Sequence, residues 1–547
     1  MDPIHEVAFP TLSKQELAHV KSLAASRDFA DGDTVFRAGQ AAVDLYIVES
    51  GEIEIRNPVD GDRVIVVHEP GQFSGDIDLL TGRPVIVTGV ARGATRVWCV
   101  PHGQLRAILN RVPSLGEKLI VAFTRRRELL SASGVSGLRV VGPGRCRDTN
   151  TVREFLYKNF VPFKWFDTET DEGRQVFETL GSPRKTPVIE CANGKVLLNP
   201  SLRELANEAG IWKHCPSREV DFAIVGAGPA GIAAAVYSAS EGLSTLMLDR
   251  LGPGGQAGGS SRIENFIGFP AGLSGADLAS RGVLQMLKFG AQIVAPVSVE
   301  KLTPAKSGNE QHVLHLDCGA EIRCRVVLLA LGVHWRRLEA DGADRFAGAG
   351  IYYACTTVEA DLYDGTDVAV VGAGNSAGQA VMFLAECCPS RRVHLLIRRT
   401  LGPGMSEYLS SRIRGTSNVV IHEQTEIESV RGDRRLDHIQ LKNNATGEAR
   451  EIACSAVFVF IGAVPAADWL PKEIGRDTNG YLLTGTDVVR SGLWPISDRD
   501  PCALETTIPG VLAAGDIRAG STKRVGFAVG DGSLAVTCAH RLLSITR

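Results

Sequence analysis

Two glycine-rich turns, each entered from an apolar run, carry the clearest chemistry in this 547-residue chain. In DFAIVGAGPAGIAAAVYSASEGLSTLMLDR, Phe222 to Val225 read as a buried strand. It leads into Gly226-x-Gly228-x-x-Gly231, with Pro229 and Ala230 inside the turn, and then into an alanine-rich helix. The first glycine of such a turn permits the tight bend and the second lets backbone approach a pyrophosphate. The third lets the helix close on the strand, and an acid ending the next strand, here Asp249, accepts ribose hydroxyls. A chance glycine-rich turn would not bring strand, helix and acid with it. A second copy begins 146 residues later in TDVAVVGAGNSAGQAVMFLAECCPSRRVHLLIRR, where Gly372, Gly374 and Ala377 repeat the turn and Asn375 and Ser376 open the helix. Its second strand ends in Arg398-Arg399 instead of an acid. A guanidinium there favours a 2′-phosphate through bidentate charge-assisted bonds, hence NADP over NAD; the plainer alternative is a solvated basic turn. Two motifs with different strand-end chemistry imply two dinucleotides, a flavin (FAD) with a free ribose and NADPH. That pairing is the basis of a hydride relay.

The elements that must position these turns alternate strand and helix from about residue 219 onward, the pattern of doubly wound α/β sheets. The N-terminal part differs. Through residues 1–130, GDTVFRAGQ, DLYIVESGEIEIRN, RVIVVHEPGQF and TRVWCVP are strand-like, and helical spacing takes over from Pro101. SASGVSG reads as a linker. Residues 138–213 follow as β-α-β-loop-β-α, with Asn193-Gly194 turning a hairpin in TPVIECANGKVLLNP. The fold class is therefore multidomain: a β-roll with helices, a small α/β unit, then two Rossmann-like dinucleotide domains.

A net charge of −3 gives no electrostatic case for nucleic acid or anionic membrane. No run of 18 apolar residues suggests a spanning helix, and MDPIHEVAFPTLSKQELAHV does not read as a signal peptide, so a cytoplasmic protein is expected. The twelve cysteines are too sparse for a disulfide scaffold, and no two are spaced as Cys-x-x-Cys, which excludes a dithiol or zinc pair of that type. The vicinal Cys387-Cys388 is expected as two buried thiols, not an adjacent disulfide.

From residue 219 to 547 these features resemble the low-molecular-weight thioredoxin reductases. The segment GPGGQAGGSSRIENFIGFP is similar to that family's flavin segment, which implies that Gly255, Gln256 and Asn265 line the flavin. GVLAAGDIRAGSTKRVGFAVGDG is similar to its closing FAD motif, implying Gly515 and Asp516 at the ribityl–phosphate region and Arg524 over the ring. Where the family has Arg-Gln this chain has Arg524-Val525, so one polar flavin contact lacks its glutamine. The resemblance implies an FAD domain split into 219–334 and 466–547, an NADPH domain at 335–465 inserted between the halves, rotation of one against the other, and a homodimer.

One departure decides the chemistry. In the family a Cys-x-x-Cys precedes the NADPH strand; here YYACTTVEADLYDGTDVAVVGAG keeps Cys355 but has Val358 at the second position. A dithiol relay needs one sulfur to attack and another to resolve, and valine cannot resolve. Three readings of Cys355 stay open: a single flavin-facing thiol, a small apolar core residue, or a partner for a cysteine elsewhere in the assembly. The segment 138–213 resembles a thioredoxin or glutaredoxin fold, with Thr186-Pro187 matching its cis-proline turn. Cys146-Arg147-Asp148-Thr149 stands where Cys-x-x-Cys would, again keeping only the first cysteine. Cys146 is a monothiol candidate activated by a helix N-terminus, or the segment only docks; exchange between Cys146 and Cys355 is a further hypothesis.

Residues 1–130 resemble a cyclic-nucleotide-binding domain through DGDTVFRAGQAAVDLYIVESGEIEI and GQFSGDIDLLTGRPVIVTGVA. Asp76 stands for the ribose-binding acid, Val85 replaces the phosphate-binding arginine, and Arg83 lies two residues earlier. Weak or absent cyclic AMP binding is expected, with another ligand or a dimer contact as the module's role. The functions left open are a thioredoxin-reductase-like enzyme acting through single cysteines on a thioredoxin-like acceptor, a flavin-dependent NADPH oxidase or reductase with a non-thiol acceptor such as oxygen or a quinone, and a non-enzymatic flavin redox sensor.

Overall fold

The computed structural model describes residues 3–58, 61–132, 137–191, 194–211, 218–306, 310–402, 404–433 and 435–545. The N-terminal roll is an antiparallel sheet of Ala25–Phe29, Thr34–Phe36, Leu45–Asn57, Arg63–His68 and Thr88–Val100. Its two 13-residue strands, Leu45–Asn57 and Thr88–Val100, pair along their length and turn Ile47, Ile53 and Val97 inward. Helix Pro113–Ala132 closes the roll, with Phe123 edge-on to Phe73 at 6.1 Å. Sequence reading missed the helix Lys14–Lys21, although Ser13 and Glu16 form a capping box at its start.

Leu138–Val141 is the centre of a four-stranded sheet, parallel to Phe163–Phe166 and antiparallel to Val188–Cys191, which pairs in turn with Val196–Leu198. The last pair is the expected hairpin, but Asn193 lies outside the described residues, as does most of the SASGVSG linker. Helix Arg147–Lys158 packs on one face through Val152, Phe155 and Leu156. A second helix, Asp171–Thr179, occupies the stretch read as loop; Thr170 caps it by accepting from Gly173 N at 3.1 Å. The Thr186–Pro187 peptide is cis.

Two sheets with parallel cores, with a three-stranded antiparallel sheet of Thr425–Arg431, His438–Asn443 and Ala449–Ala453, account for most of the rest. In the first, Gln292–Val294, Thr245–Leu248, Arg218–Val225, Glu321–Leu329 and Val511–Ala513 lie parallel in that order, while His312–Leu316 pairs antiparallel with Glu321–Leu329 and Val299–Thr303 pairs antiparallel with His312–Leu316. Burial on both faces explains the unbroken apolar runs at Phe222–Val225 and Thr245–Leu248. The second is wholly parallel: Ile351–Tyr352, Ala456–Val459, Val368–Val371, Val393–Ile397 and Val419–Glu423. A two-stranded ladder, Val333–Trp335 against Ala463–Pro465, marks both crossings between the sheets. After the return, helix Val525–Ile545 packs so tightly on helix Pro229–Ser240 that a Cβ on Gly532 would lie 2.2 Å from the carbonyl of Ala230. No helix among the described residues is long and apolar enough to cross a membrane.

Candidate functional site

At the first turn, Gly226 has φ +108° and donates to Leu248 O at 2.8 Å; a Cβ there would sit 2.3 Å from the carbonyl oxygen of Ala330. Only glycine satisfies both constraints. A Cβ on Gly231 would lie 2.0 Å from Gly226 O, which is the close helix–strand approach the spacing demands. Beside Gly228 the nearest atom is the Cα of Gly255, 3.9 Å from such a Cβ, so open space lies over the N-terminus of Pro229–Ser240. That is the shape a pyrophosphate needs. Gly255 approaches Gly228 from the flavin-like segment, and Gly515 of the closing motif places its own Cβ direction 3.2 Å from Ala230. Gly226, Gly228, Pro229, Ala230, Gly231, Gly255 and Gly515 thus meet in one cradle. Asp531 supports it by accepting from Gly515 N at 2.9 Å and pairing with Arg518.

Asp249 does more than its sequence position suggested. One oxygen accepts from Ala227 N at 2.8 Å; the other accepts from Leu251 N at 2.9 Å and Gly252 N at 2.8 Å. Of about four lone-pair sites on a carboxylate, backbone takes three and one remains for a ribose hydroxyl. Gln256 Nε2 donates to Val333 O at the interdomain ladder. Asn265 and Arg524 are exposed, and Val525 opens the C-terminal helix. Burial raises the Asp516 carboxyl, with Lys523 opposing.

The second turn repeats the construction. Gly372 has φ +145° and a Cβ there would be 2.5 Å from Phe460 O, while nothing lies within 4 Å of a Cβ on Gly374. Asn375 accepts from Ser406 N at 2.7 Å, Ser376 is exposed, and Ala377 is buried against the sheet. Arg398 and Arg399 are exposed at the end of Val393–Ile397, Arg398 at 3.8 Å from Glu426.

The cysteines are placed less symmetrically. The main chain of Cys355 bridges to Ser260 of the flavin-like segment. Its side chain is 3% exposed and shares an apolar core with Tyr352, Ala360, Leu384 and Ala385. Burial pushes this thiol well above its ordinary range, and Glu359 adds to the effect. Cys388 is buried as expected, but Cys387 is exposed, a correction to the reading of two buried thiols. It ends helix Asn375–Cys387, and the fully buried Arg391 takes the interior place beside it, donating to Cys387 Sγ at 3.4 Å and to Ala360 O at 2.8 Å.

Cys146 is partly exposed at the N-cap of Arg147–Lys158. That helix docks between the two dinucleotide units. Asn150 Nδ2 donates to Gly348 O at 3.0 Å, and Arg145 lies over Tyr363 at 5.1 Å. At the other end Lys158 Nζ reaches Gly255 O at 3.3 Å and Asn159 Nδ2 reaches Leu251 O at 2.8 Å. Arg83 of the roll donates to Asn159 O at 2.5 Å, which commits it to the neighbouring segment. Asp76 is ion-paired with Arg127 at 2.7 Å, and Val85 is buried. None of Lys158, Asn159, Arg127 or Asp531 was singled out in the sequence.

Two family profiles match the chain: pyridine nucleotide-disulphide oxidoreductase over residues 220–532, and cyclic nucleotide-binding domain over residues 26–112. A thioredoxin reductase of Treponema pallidum (strain Nichols) is 32% identical over 323 residues, 59% of this chain and 96% of that one. An NADH dehydrogenase of Bacillus subtilis (strain 168) is 28% identical over 348 residues, 63% of this chain and 62% of that one. The crystal structure of T. acidophilum thioredoxin reductase superposes with a TM-score of 0.53 at 26% identity, covering 60% of this chain and all of that one. With the glycine cradles in place and the match spanning more than half its length, this chain belongs to the pyridine nucleotide-disulphide oxidoreductase family and is an FAD-dependent NAD(P)H oxidoreductase on the thioredoxin reductase plan.

Proposed function

We propose that the chain oxidises NADPH at the Gly372 turn, holds FAD at the Gly226 cradle, and delivers electrons onward without an internal dithiol. Bound together, the two cofactors supply hydride transfer and two-electron delivery. The chain's own residues position them: Gly228 and Gly374 leave the backbone open to pyrophosphates, Asp249 fixes the loop that follows, and Arg398 and Arg399 offer a 2′-phosphate its charge partners. On this reading Asn265, Asp516 and Arg524 serve the flavin, and Asn375, Ser376 and Ala377 the NADPH helix.

The observation that carries the proposal is the burial of Cys355. A thiol in an apolar core with its acidity suppressed supplies no thiolate for attack, and the sequence has no cysteine at 358. A non-thiol acceptor such as oxygen or a quinone therefore fits best. The test is anaerobic NADPH titration followed by a panel of acceptors, run on wild type and Cys355→Ser. Equal turnover of oxygen or quinone by both supports the proposal; loss of turnover in Cys355→Ser refutes it.

A second reading is favoured by the placement of Cys146. Its sheet order and the cis Thr186–Pro187 peptide support a thioredoxin-like unit, whose partly exposed cysteine sits at a helix start beside Gly348 and Tyr363. Cys146 would then be a monothiol exit toward a thioredoxin-like partner, and Cys146→Ser would abolish disulfide reduction while sparing NADPH oxidation. Exposed Tyr237, Phe527 and Leu534 on the paired helices Pro229–Ser240 and Val525–Ile545 support a homodimer. The cysteines among the described residues are free, which fits a cytoplasmic setting.

A further inference from the structure

The N-terminal roll holds a cavity of about 260 Å³ that the hydride chemistry does not use. Its wall is largely apolar, with Phe36, Val43, Ile55, Val66, Leu79 and Val87 among the lining residues. Val66 and Val87, with Ile65 and Leu130 beside them, are only half-buried although they line this space. Acceptors come from two paired segments. Ser74 N donates to Tyr46 O at 2.8 Å and Tyr46 N to Ser74 Oγ at 3.1 Å. Two residues along each segment, Asp44 and Asp76 both line the cavity. Asp44 accepts from His102 N at 2.9 Å and Cys99 Sγ at 3.2 Å. Asp76 accepts from Asp78 N at 2.9 Å and pairs with Arg127 at 2.7 Å. A carboxylate has about four lone-pair sites, so each keeps capacity for one more donor.

The positive charge nearby is spent. Arg126 is 5% exposed; its Nε donates to Ala8 O at 2.7 Å and its Nη1 to Gly75 O at 2.8 Å, and its plane packs over Phe9 and Phe73. Arg127 is held between Asp76 and Asp78. Val85 is buried where a cyclic phosphate would need an arginine, and Arg83 is committed to Asn159 O. An anion, a cyclic nucleotide included, would therefore meet two carboxylates and no free cation. A cation would leave water for an apolar wall that already contains the buried Arg126, whose charge acts on Asp76. What the lining accepts is a molecule without net charge.

We propose that this cavity binds an uncharged, mostly apolar molecule of bicyclic size carrying one hydrogen-bond donor, with the donor toward Asp44 and Asp76 and the hydrocarbon along the wall. An apolar cavity of about 150 Å³ accommodates benzene, so about 260 Å³ accommodates roughly ten carbons. Seating them takes the half-buried wall residues out of water. Nothing in this inference rests on the dinucleotide sites.

Calorimetry of the full chain with α-naphthol tests it, with α-methoxynaphthalene, α-naphthoate, α-naphthylmethylammonium and cyclic AMP as competitors. α-Naphthol is expected to bind, and its methyl ether, which lacks the donor, about 2- to 12-fold more weakly. α-Naphthoate, which sets a third carboxylate against Asp44 and Asp76, should be weaker than α-naphthol by about 10-fold or more. Val66→Trp fills the cavity and should abolish binding. Val87→Phe narrows it from a separate segment and keeps the test valid should the first variant fail to fold, which thermal unfolding reports. No heat with α-naphthol at about 0.1 mM, undiminished binding in a folded variant, or tighter binding of the carboxylate, the ammonium or cyclic AMP would each overturn the proposal. Flavin bleaching by NADPH, read in the same samples, reports on the dinucleotide sites separately.

Discussion

Asp249→Asn changes one carboxylate oxygen into an amide nitrogen, and the clamp around it says where the cost must fall. One oxygen of Asp249 serves two donors, Leu251 N and Gly252 N, and the other serves Ala227 N. Asparagine has a single acceptor oxygen. Turned toward the pair, it sets its own NH2 against the N–H of Ala227, donor against donor, and Ala227 is 0% exposed, so water cannot take over. Turned the other way it strands two donors instead. The first orientation loses one charge-assisted bond and leaves one buried N–H unmet, about 1.5–3 kcal/mol. Since Ala227 lies between Gly226 and Gly228, the penalty falls on the loop that must face the pyrophosphate. If it falls wholly on the bound state, the Kd for FAD rises about 10- to 150-fold. Fluorescence titration of the apoprotein with FAD measures that rise, and thermal unfolding of the apoprotein measures any share spent on folding. Asp249→Ala, which loses all three bonds, should cost more than Asp249→Asn. FAD affinity within about twofold of wild type, with unchanged apoprotein unfolding, would refute the reasoning.

At the second turn, Arg398→Ala should raise the KM for NADPH about 10-fold or more while leaving that for NADH nearly unchanged, since only the 2′-phosphate loses a charge partner; equal effects on both nucleotides would count against it. Asn150→Ala removes the bond to Gly348 O, worth about 1 kcal/mol, and should quicken flavin bleaching by NADPH up to about fivefold in stopped flow. An unchanged rate would show that this contact does not restrain the domains. Burial raises the Asp76 carboxyl to about 6, against the pull of Arg127, so folding takes up a proton between the ordinary carboxyl value of 3.8 and about 6. Its contribution to stability therefore shrinks as pH rises through that window, and the stability of wild type relative to Asp76→Asn should fall by at most about 3 kcal/mol across it in denaturant titrations; a flat difference would refute the assignment.

The glycine turns were legible because their function is local. A positive φ at Gly226 or Gly372, a neighbouring carbonyl that excludes Cβ, and an apolar strand leading in are all properties of a dozen adjacent residues. The helix Asp171–Thr179 was legible too, and was missed: Thr170 as cap with Asp171 and Glu172 in the first turn is a start signal that needed more weight than the surrounding polar residues received. Other features depend on packing between distant segments. Arg83 meets Asn159 across 76 residues and Asn159 meets Leu251 across 92, so no window of sequence shows either. The fate of Cys355 was open for the same reason, since the core that buries it is assembled from Tyr352, Leu384 and other residues on separate elements. Cys387 was expected to be buried with Cys388, whereas Arg391 fills the interior place and leaves the Cys387 thiol outside.

The segment between the roll and the first glycine turn is more than a connection, because it is fastened to both dinucleotide units. Toward the first it makes Lys158 to Gly255 O, Asn159 to Leu251 O and the Arg203–Asp317 pair at 2.7 Å. The roll joins the same side through Arg83 to Asn159 O and Asn110 to Lys288 O. Toward the second, the hydrogen bond found among the described residues is Asn150 to Gly348 O, beside Arg145 over the ring of Tyr363 and the close approach of Gly144 to Leu362. Directly between the units, Glu264 of the flavin-like segment pairs with Arg412 at 3.4 Å. If the two units rotate at the Val333–Trp335 and Ala463–Pro465 ladder, as the resemblance implies, the motion breaks the shorter set and keeps the longer one, and the N-terminal half would travel with the first sheet. Each contact broken is partly exposed and worth about 1 kcal/mol or less. A sum of a few such terms is too small to forbid the motion and large enough to change its rate severalfold. On the proposed rotation the N-terminal half would lie in the path of hydride access, and whatever moves Asn150 would act on the rate without touching either cofactor.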